Sequence, residues 1–575
     1  MTTASPALTV RNSVAGPPTL LAGDHPLEDP VDPEAGAQAF IAPEQLAERH
    51  HVVLFGAGLG YRARRLVDLG VDPIVFEPSV DVLALAGRHG PGLPEGCTVF
   101  DDVHALQQHL ARETVDGQET VLLTPPPYAR AFPEALHAVT AVLSEVQGIA
   151  KLKRNTISDR SSMLVERVIE NLPRLESVPL METLGRPLEG VPAFLVAAGP
   201  SLDKNRHLLE AASKRGAVFA VNTSAPAVAA VDVPIDLLVA IEALDVTEPM
   251  RAAAAISRAV AVDLTAHPNN FDIGVPRRTT FLPVSPQFHG LAEAIGHDNL
   301  AYGGSVATAA FALAYRLGAD PIVLLGQDLA YTDGRGYASG TLFESTTVRR
   351  DGPHLIIDRA KKWDEMTEAG GLRVPSKRRP AVDVPAWGGE GTVWSTHELV
   401  LFRRWFEDAA RAYRGRVELV NATEGGASIE GFSEERLESL LARLPERTHL
   451  LHEAMDAGTT LSSEHVARVR RGIATRAERL VKAATRTAKR ARAGHDTTRD
   501  AEQVRAAAEL SPLCDAHAAA ELLHIMDDDR LEQKARTVRT FETVARSARR
   551  VSSLAGSRAR KPQKKKRARR RSRAR

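Results

Sequence analysis

Four short stretches in the middle of the chain carry the residue types that hold a phosphorylated ligand. The first is Ala198-Gly199-Pro200-Ser201-Leu202-Asp203-Lys204-Asn205, a sharp turn in which Ser201 can cap a following helix. A helix start also offers backbone N–H groups to an anion such as phosphate. The second is Asn222-Thr223-Ser224, three small polar side chains suited to a base, a ribose or a sugar. The third, Tyr302-Gly303-Gly304-Ser305-Val306-Ala307-Thr308, is another glycine turn into a helix, with Ser305 and Thr308 as donors; Gly326-Gln327-Asp328-Leu329-Ala330-Tyr331-Thr332 lies downstream of it. The fourth is Asn421-Ala422-Thr423-Glu424-Gly425-Gly426-Ala427. Each alone is also what a well-capped structural turn looks like.

Buried strands must position these stretches. Ala193 to Ala197, Ala217 to Val221, Pro321 to Leu325 and Val417 to Val420 are apolar runs that lead into polar or glycine segments. Further strands are expected at Asp236 to Ile241, Ala259 to Leu264 and Thr279 to Leu282, with helices at Ser305 to Leu317 and His397 to Tyr413. Alternating strands and helices predict a parallel, doubly wound α/β sheet, whose ligand loops gather at the carboxyl ends of the strands. The ligand-binding candidates are therefore Gly199, Pro200, Ser201, Asn222, Thr223, Gly304, Ser305 and Gln327.

Three residues could move a proton at such a site: Asp328 as first choice, with Glu242 and His397 in reserve. Asp328 could instead cap a turn, Glu242 lie on the surface, and His397 simply open its helix. Glu242 and Asp245 are the acids available for a magnesium ion, should the chemistry require one.

A second glycine-rich loop lies upstream. Gly56-Ala57-Gly58-Leu59-Gly60 separates an apolar run, His51 to Phe55, from a helical pattern, Tyr61 to Leu69, and Glu77 ends the next strand, Pro73 to Phe76. This βαβ context suits a nucleotide loop: glycines admit the ligand to the backbone, and the acid accepts from ribose hydroxyls. The spacing is nearer to the first motif of class I methyltransferases than to a dinucleotide fingerprint. A tight structural turn that binds nothing fits the same residues.

The rest of the chain sets the frame. Its 575 residues carry net charge +1, but Arg558 to Arg575 holds twelve Lys/Arg and no acid, leaving the remainder at −11. Such a block is expected to be a disordered tail able to touch nucleic acid or acidic surfaces nonspecifically. Two cysteines exclude a disulfide scaffold or a cysteine-rich zinc site. Met1 to Leu21 lacks a basic start followed by an apolar core, and no run of about 18 apolar residues occurs, so a cytoplasmic protein without a membrane span is expected. The expected organisation is a poorly ordered lead-in over 1–45, a Rossmann-like domain over 46–147, a helical connector over 148–186, a second Rossmann-like domain over 187–432, a helical region over 433–555 and the basic tail over 556–575. Between Thr332 and Gly391 the chain is polar and irregular, as a lid would be.

The stretches "GPSLDKN", "YGGSVATAA", "LGADPIVLLGQDLAYT" and "VNATEGGASIEG" resemble the hallmark segments of the motility accessory factor (Maf) family, which contains the DUF115 or MptE-like domain. The resemblance spans about Pro187 to Gly431. It implies a transferase moving a nonulosonic (sialic-acid-like) sugar from a CMP-activated donor to Ser/Thr of a protein such as flagellin, with no cofactor required. It equally allows a 6-hydroxymethylpterin diphosphokinase using ATP and magnesium. A nucleotide-binding protein without catalysis is a third reading. Two departures bear on catalysis: Tyr337 stands where the family commonly has a His, and Glu242 where it commonly has an Asp.

Overall fold

The computed structural model describes residues 7–42, 50–113, 119–247, 250–296, 298–341, 343–358, 377–509, 511–527 and 533–556. The basic tail expected from Arg558 lies outside the described residues. The chain divides into two compact units, Met1–Thr156 and Ile157–Arg575, with the division inside the helix Pro133–Asn171. That helix absorbs both the end of the first expected domain and most of the expected connector.

In the first unit, β1 (Leu8–Asn12), β2 (Pro18–Ala22) and β3 (His25–Pro26) form an antiparallel sheet. A poorly ordered lead-in is not what these residues make: Leu20, Ala22 and Leu27 are buried in the unit's core, and Pro33–Phe40 is a helix capped by Asp32. Burial of these few apolar side chains, invisible as periodicity in so short a stretch, is what orders them. Next come β4 (His50–Phe55), β5 (Ile74–Phe76), β6 (Thr98–Phe100) and β7 (Glu119–Leu123), a parallel sheet in the order β6-β5-β4-β7.

The second unit is built on β8 (Ala193–Val196), β9 (Ala217–Val221), β10 (Leu237–Ala240), β11 (Ala259–Asp263), β12 (Arg277–Phe281) and β13 (Ile322–Leu325). Strands β8 to β11 and β13 are buried along their whole length. That fits their unbroken apolar runs, because a parallel sheet is covered on both faces. The polar stretch after Thr332 contains β14 (Thr347–Asp351), β15 (His354–Asp358), β16 (Lys377–Pro380) and β17 (Val382–Pro385), followed by β18 (Thr392–Ser395), in two small antiparallel sheets. β19 (Leu419–Asn421) and β20 (Ser433–Glu434) return to the main sheet, which runs β12-β11-β10-β9-β8-β13-β19-β20 with every neighbour parallel.

The C-terminal helices belong to this same unit. Ser463–Arg492 buries Val466, Val469, Ile473, Ala477, Leu480 and Ala484, a stripe at helical spacing. Those residues share one core with Val218 and Leu238 of the sheet and with Val544 and Val551 of the helix Gln533–Gly556. No helix among the described residues is long and apolar enough to cross a membrane.

Candidate functional site

In the main sheet the strand order reverses at β8: the chain goes on to β9 on one side and later returns as β13 on the other. The crevice outside the carboxyl ends of such a pair is where open α/β sheets bind ligands. Two predicted stretches meet there. The Gly199 N–H donates to the Gly326 carbonyl at 2.7 Å, and Ser201 Oγ donates to Asp328 Oδ1 at 2.7 Å, with the Ser201 N–H at 3.2 Å from the same oxygen. Thr332 Oγ1 reaches Asp328 Oδ1 at 3.3 Å. Asp328 is 3% exposed. Burial raises its carboxyl pKa to about 6 against the lowering effect of the Ser201 hydroxyl and N–H.

The glycines at this junction are there for space. A Cβ on Gly199 would sit 2.0 Å from Asp328 Oδ2, one on Gly425 would sit 2.2 Å from Ser201 Oγ, and one on Gly426 would sit 2.3 Å from the Asp328 carbonyl. The Ser201 hydroxyl makes no cap, contrary to expectation, and the helix after it, Leu202–Asn205, is only four residues long. The stronger pull of a buried carboxylate explains this: a charge-assisted bond to Asp328 outcompetes a neutral bond to the backbone of the short turn.

At the end of β9, Asn222 is 4% exposed and its Oδ1 has no hydrogen-bond partner. Thr223 is half-buried, and Ser224 Oγ donates back to the Val196 carbonyl at 2.6 Å. At the end of β19, Thr423 Oγ1 accepts from the Gln327 N–H at 3.1 Å, Asn205 Nδ2 donates to the Ala422 carbonyl at 2.8 Å, and Lys204 Nζ donates to the Glu424 carbonyl at 2.7 Å. Asn205 Oδ1 and Asn421 Nδ2 are buried without partners. Sequence reasoning singled out Asn222 but passed over Asn205 and Asn421, although both lie inside the quoted motifs. Pro200 and Gln327 are buried beside them.

Ser305 caps the helix Val306–Arg316, accepting from the Thr308 N–H, while Thr308 Oγ1 accepts from the Gly303 and Ser305 N–H groups. Gly303 lies against the Trp405 ring, and Gly304 adopts φ +80°. The preceding Tyr302 donates its hydroxyl to Asp263, a fully buried acid at the end of β11 whose pKa burial raises to about 6. Neither partner of this pair was a sequence candidate.

Of the remaining acids, Glu242 follows β10; burial raises its pKa, partly offset by Arg160. Asp245 has both oxygens engaged: Oδ1 by Thr247 Oγ1 at 2.6 Å and Oδ2 by Asn269 Nδ2 at 2.6 Å. Burial works against its ionisation, yet these bonds prevail and hold its pKa below the usual value. His397 opens the helix His397–Tyr413 directly after β18, and burial holds its pKa below the ordinary histidine value. The strand before it is tied to the Asp328 loop, because Ser395 Oγ donates to the Leu329 carbonyl at 2.8 Å and the Tyr331 N–H donates to the Trp394 carbonyl at 2.7 Å. The segment bearing Tyr337 is latched in turn: Arg335 pairs with Asp203 at 2.8 Å, and Ser339 Oγ donates to Asp203 at 2.9 Å.

In the first unit, the Gly56–Gly60 loop follows β4 at that sheet's own reversal. Its N–H groups are already spent: Ala57 donates to Glu77 Oε2, Gly58 to the Tyr128 hydroxyl and Leu59 to Glu28 Oε1, each at 2.8 Å. Glu77 is fully buried, and it also accepts from the Ser79 N–H at 3.0 Å and the Tyr128 hydroxyl at 2.9 Å.

Residues 166–334 match the family described as 6-hydroxymethylpterin diphosphokinase MptE-like. No curated protein matches the chain in sequence. A solved structure of a MAf glycosyltransferase from Magnetospirillum magneticum AMB-1 is similar in fold, with a TM-score of 0.50 at 14% identity over 96% of this chain and 92% of that one. Residues 166–334 are thus similar to the MptE-like family, and the chain as a whole is similar in fold to a Maf glycosyltransferase.

Proposed function

We propose that the chain is a glycosyltransferase that moves a nonulosonic acid from a CMP-activated donor to a Ser or Thr hydroxyl of a protein acceptor such as flagellin. The observation that carries this reading is the pair of buried amide oxygens without a donor, Asn222 Oδ1 and Asn205 Oδ1, together with Asn421 Nδ2, a buried donor without an acceptor, around the strand-order reversal. A buried carbonyl oxygen without a donor costs roughly 1–3 kcal/mol, a cost that a ligand's amine or hydroxyl would remove. A cytosine amine and the hydroxyls of a ribose or sugar are donors of that kind.

In this reading the acceptor oxygen attacks the anomeric carbon and the bond from that carbon to the CMP phosphate breaks. The acceptor proton passes to a base. His397 fits this role better than Asp328. Burial favours the neutral, proton-accepting form of the imidazole, whereas Asp328 is enclosed and shared with Ser201 and Thr332. Asp328 instead holds the Gly199–Ser201 turn in shape. The leaving CMP carries its own negative charge, and the positive end of the dipole of the helix Val306–Arg316 favours that charge without a metal.

The diphosphokinase reading has less support, since both oxygens of Asp245, one of its two expected magnesium ligands, already accept hydrogen bonds from Thr247 and Asn269. Release of CMP from CMP-activated nonulosonic acids on addition of an acceptor protein tests the proposal. It fails if purified protein releases no CMP with any acceptor yet transfers pyrophosphate from ATP to a hydroxymethylpterin.

A further inference from the structure

The glycine-rich loop of the first unit has the shape of a nucleotide loop but the hydrogen bonding of a closed one. Three consecutive N–H groups, on Ala57, Gly58 and Leu59, each donate to a side chain of the same unit. The glycines fit those side chains. A Cβ on Gly56 would meet the Tyr128 ring at 2.4 Å, one on Gly58 would meet Glu28 Oε1 at 2.4 Å, and one on Gly60 would meet the Gly92 carbonyl at 2.1 Å. Glycine is thus required by what already fills the loop, with no room left over for a ligand's phosphate.

Glu28 is the unusual member. It comes from the segment just after β3, is 5% exposed, and leaves Oε2 buried with no partner. Its neighbour Leu27 is fully buried, and the Leu27 carbonyl accepts from Arg62 Nη2 at 2.9 Å, which fixes the segment across the start of the helix Tyr61–Asp68. Burial raises the Glu28 pKa to about 7 against the lowering effect of the Leu59 N–H and Arg62, and a buried carboxyl group with one oxygen on a loop N–H and the other unsatisfied is a costly arrangement for a side chain whose only task is packing. It is the arrangement an anionic ligand would adopt at such a loop. Glu77, the acid a ribose would need, is turned inward onto Ala57, Ser79 and Tyr128.

We propose that the Gly56–Gly60 loop is a ligand loop plugged by the chain's own Glu28 carboxyl group, whose oxygen takes the place of a ligand's acceptor on the Leu59 N–H, so that the first unit holds itself closed and takes no nucleotide, S-adenosylmethionine or dinucleotide. The proposal is independent of the transferase reading, because every residue in it lies in the first unit. Removing Glu28 should open a small site for a carboxylate-sized anion.

Hydrogen exchange of the peptide spanning Ala57 to Leu59 tests this in the full chain. In the wild type these amides are protected with no ligand added, and S-adenosylmethionine or NAD leaves them unchanged. In Glu28→Ala the peptide exchanges at least tenfold faster, and acetate at tens of millimolar restores protection in that variant alone. Glu28→Gln, which keeps an acceptor for the Leu59 N–H, stays protected and serves as the control if the alanine variant folds poorly. An unprotected loop in the wild type, slowing of its exchange by S-adenosylmethionine or NAD, or loss of protection in Glu28→Gln equal to that in Glu28→Ala would each overturn the proposal.

Discussion

Ser201 and Asp328 are 127 positions apart in the chain and are joined by a 2.7 Å hydrogen bond from Oγ to Oδ1. The bond locks the loop after β8 to the loop after β13, the two strands between which a doubly wound sheet reverses direction. It fixes the junction on which the proposed chemistry depends. Ser201→Ala removes a donor from a buried carboxylate and should cost about 1.5–3 kcal/mol of stability, measured by denaturant unfolding. A cost below about 0.5 kcal/mol would show that the pair does not organise the junction.

Asp328 should also leave a signature in the pH dependence of stability. An unfolded Asp titrates near ~3.9, whereas burial raises the folded value to about 6. The folded state therefore holds the proton more tightly, and its contribution to stability is lost as pH rises between these values. In Asp328→Asn that share of the downward slope should disappear, leaving the share of Asp263, whose pKa burial also raises to about 6. An unchanged slope would mean that the carboxyl is not held as described.

Space at the junction makes a sharp contrast between glycines. Gly426 has φ +71° and an added Cβ would lie 2.3 Å from the Asp328 carbonyl, whereas Gly388 has φ +90° and nothing within 4 Å. Gly388→Ala should therefore cost only backbone strain, about 1–2 kcal/mol. Gly426→Ala adds an overpacking cost of about 1–3 kcal/mol against backbone that cannot step aside. Equal thermal stabilities for the two variants would contradict the close approach of these loops.

For His397, replacement by Asn should lower kcat by about 10²–10⁴ while leaving CMP binding intact. The wild-type rate should fall on the acid side, below pH ~6.5, as the imidazole gains a proton and ceases to be a base, because burial lowers its pKa. A variant that keeps its rate, or a profile without an acid limb, would move the base elsewhere.

Much of this architecture was legible because parallel strands are buried on both faces and so stand out as unbroken apolar runs. The runs at Ala217 to Val221 and Ala259 to Leu264 are examples. The strands near the N-terminus were not legible: Leu8–Asn12 and Pro18–Ala22 are five residues each, flanked by Pro and Gly, and only tertiary burial of Leu20 and Leu27 orders them. The strands after Thr332 were hidden by their charge, since Thr347–Asp351 is exposed at four of five positions. Within the site, the loops could be read from glycine and proline after apolar runs. The Tyr302–Asp263 pair and Glu28 could not, because each joins residues far apart in the chain.

The most direct measurement is the unfolding midpoint with CMP, and separately with ATP plus magnesium, in the wild type and in Asn222→Ala. A ligand that binds only the folded state stabilises it by about 2.7 kcal/mol at a hundredfold excess over Kd. The account predicts a rise with CMP that Asn222→Ala abolishes, because Asn222 offers a buried acceptor without a partner at the edge of the crevice. A rise with ATP and magnesium but none with CMP, or a CMP shift that survives intact in Asn222→Ala, would contradict it.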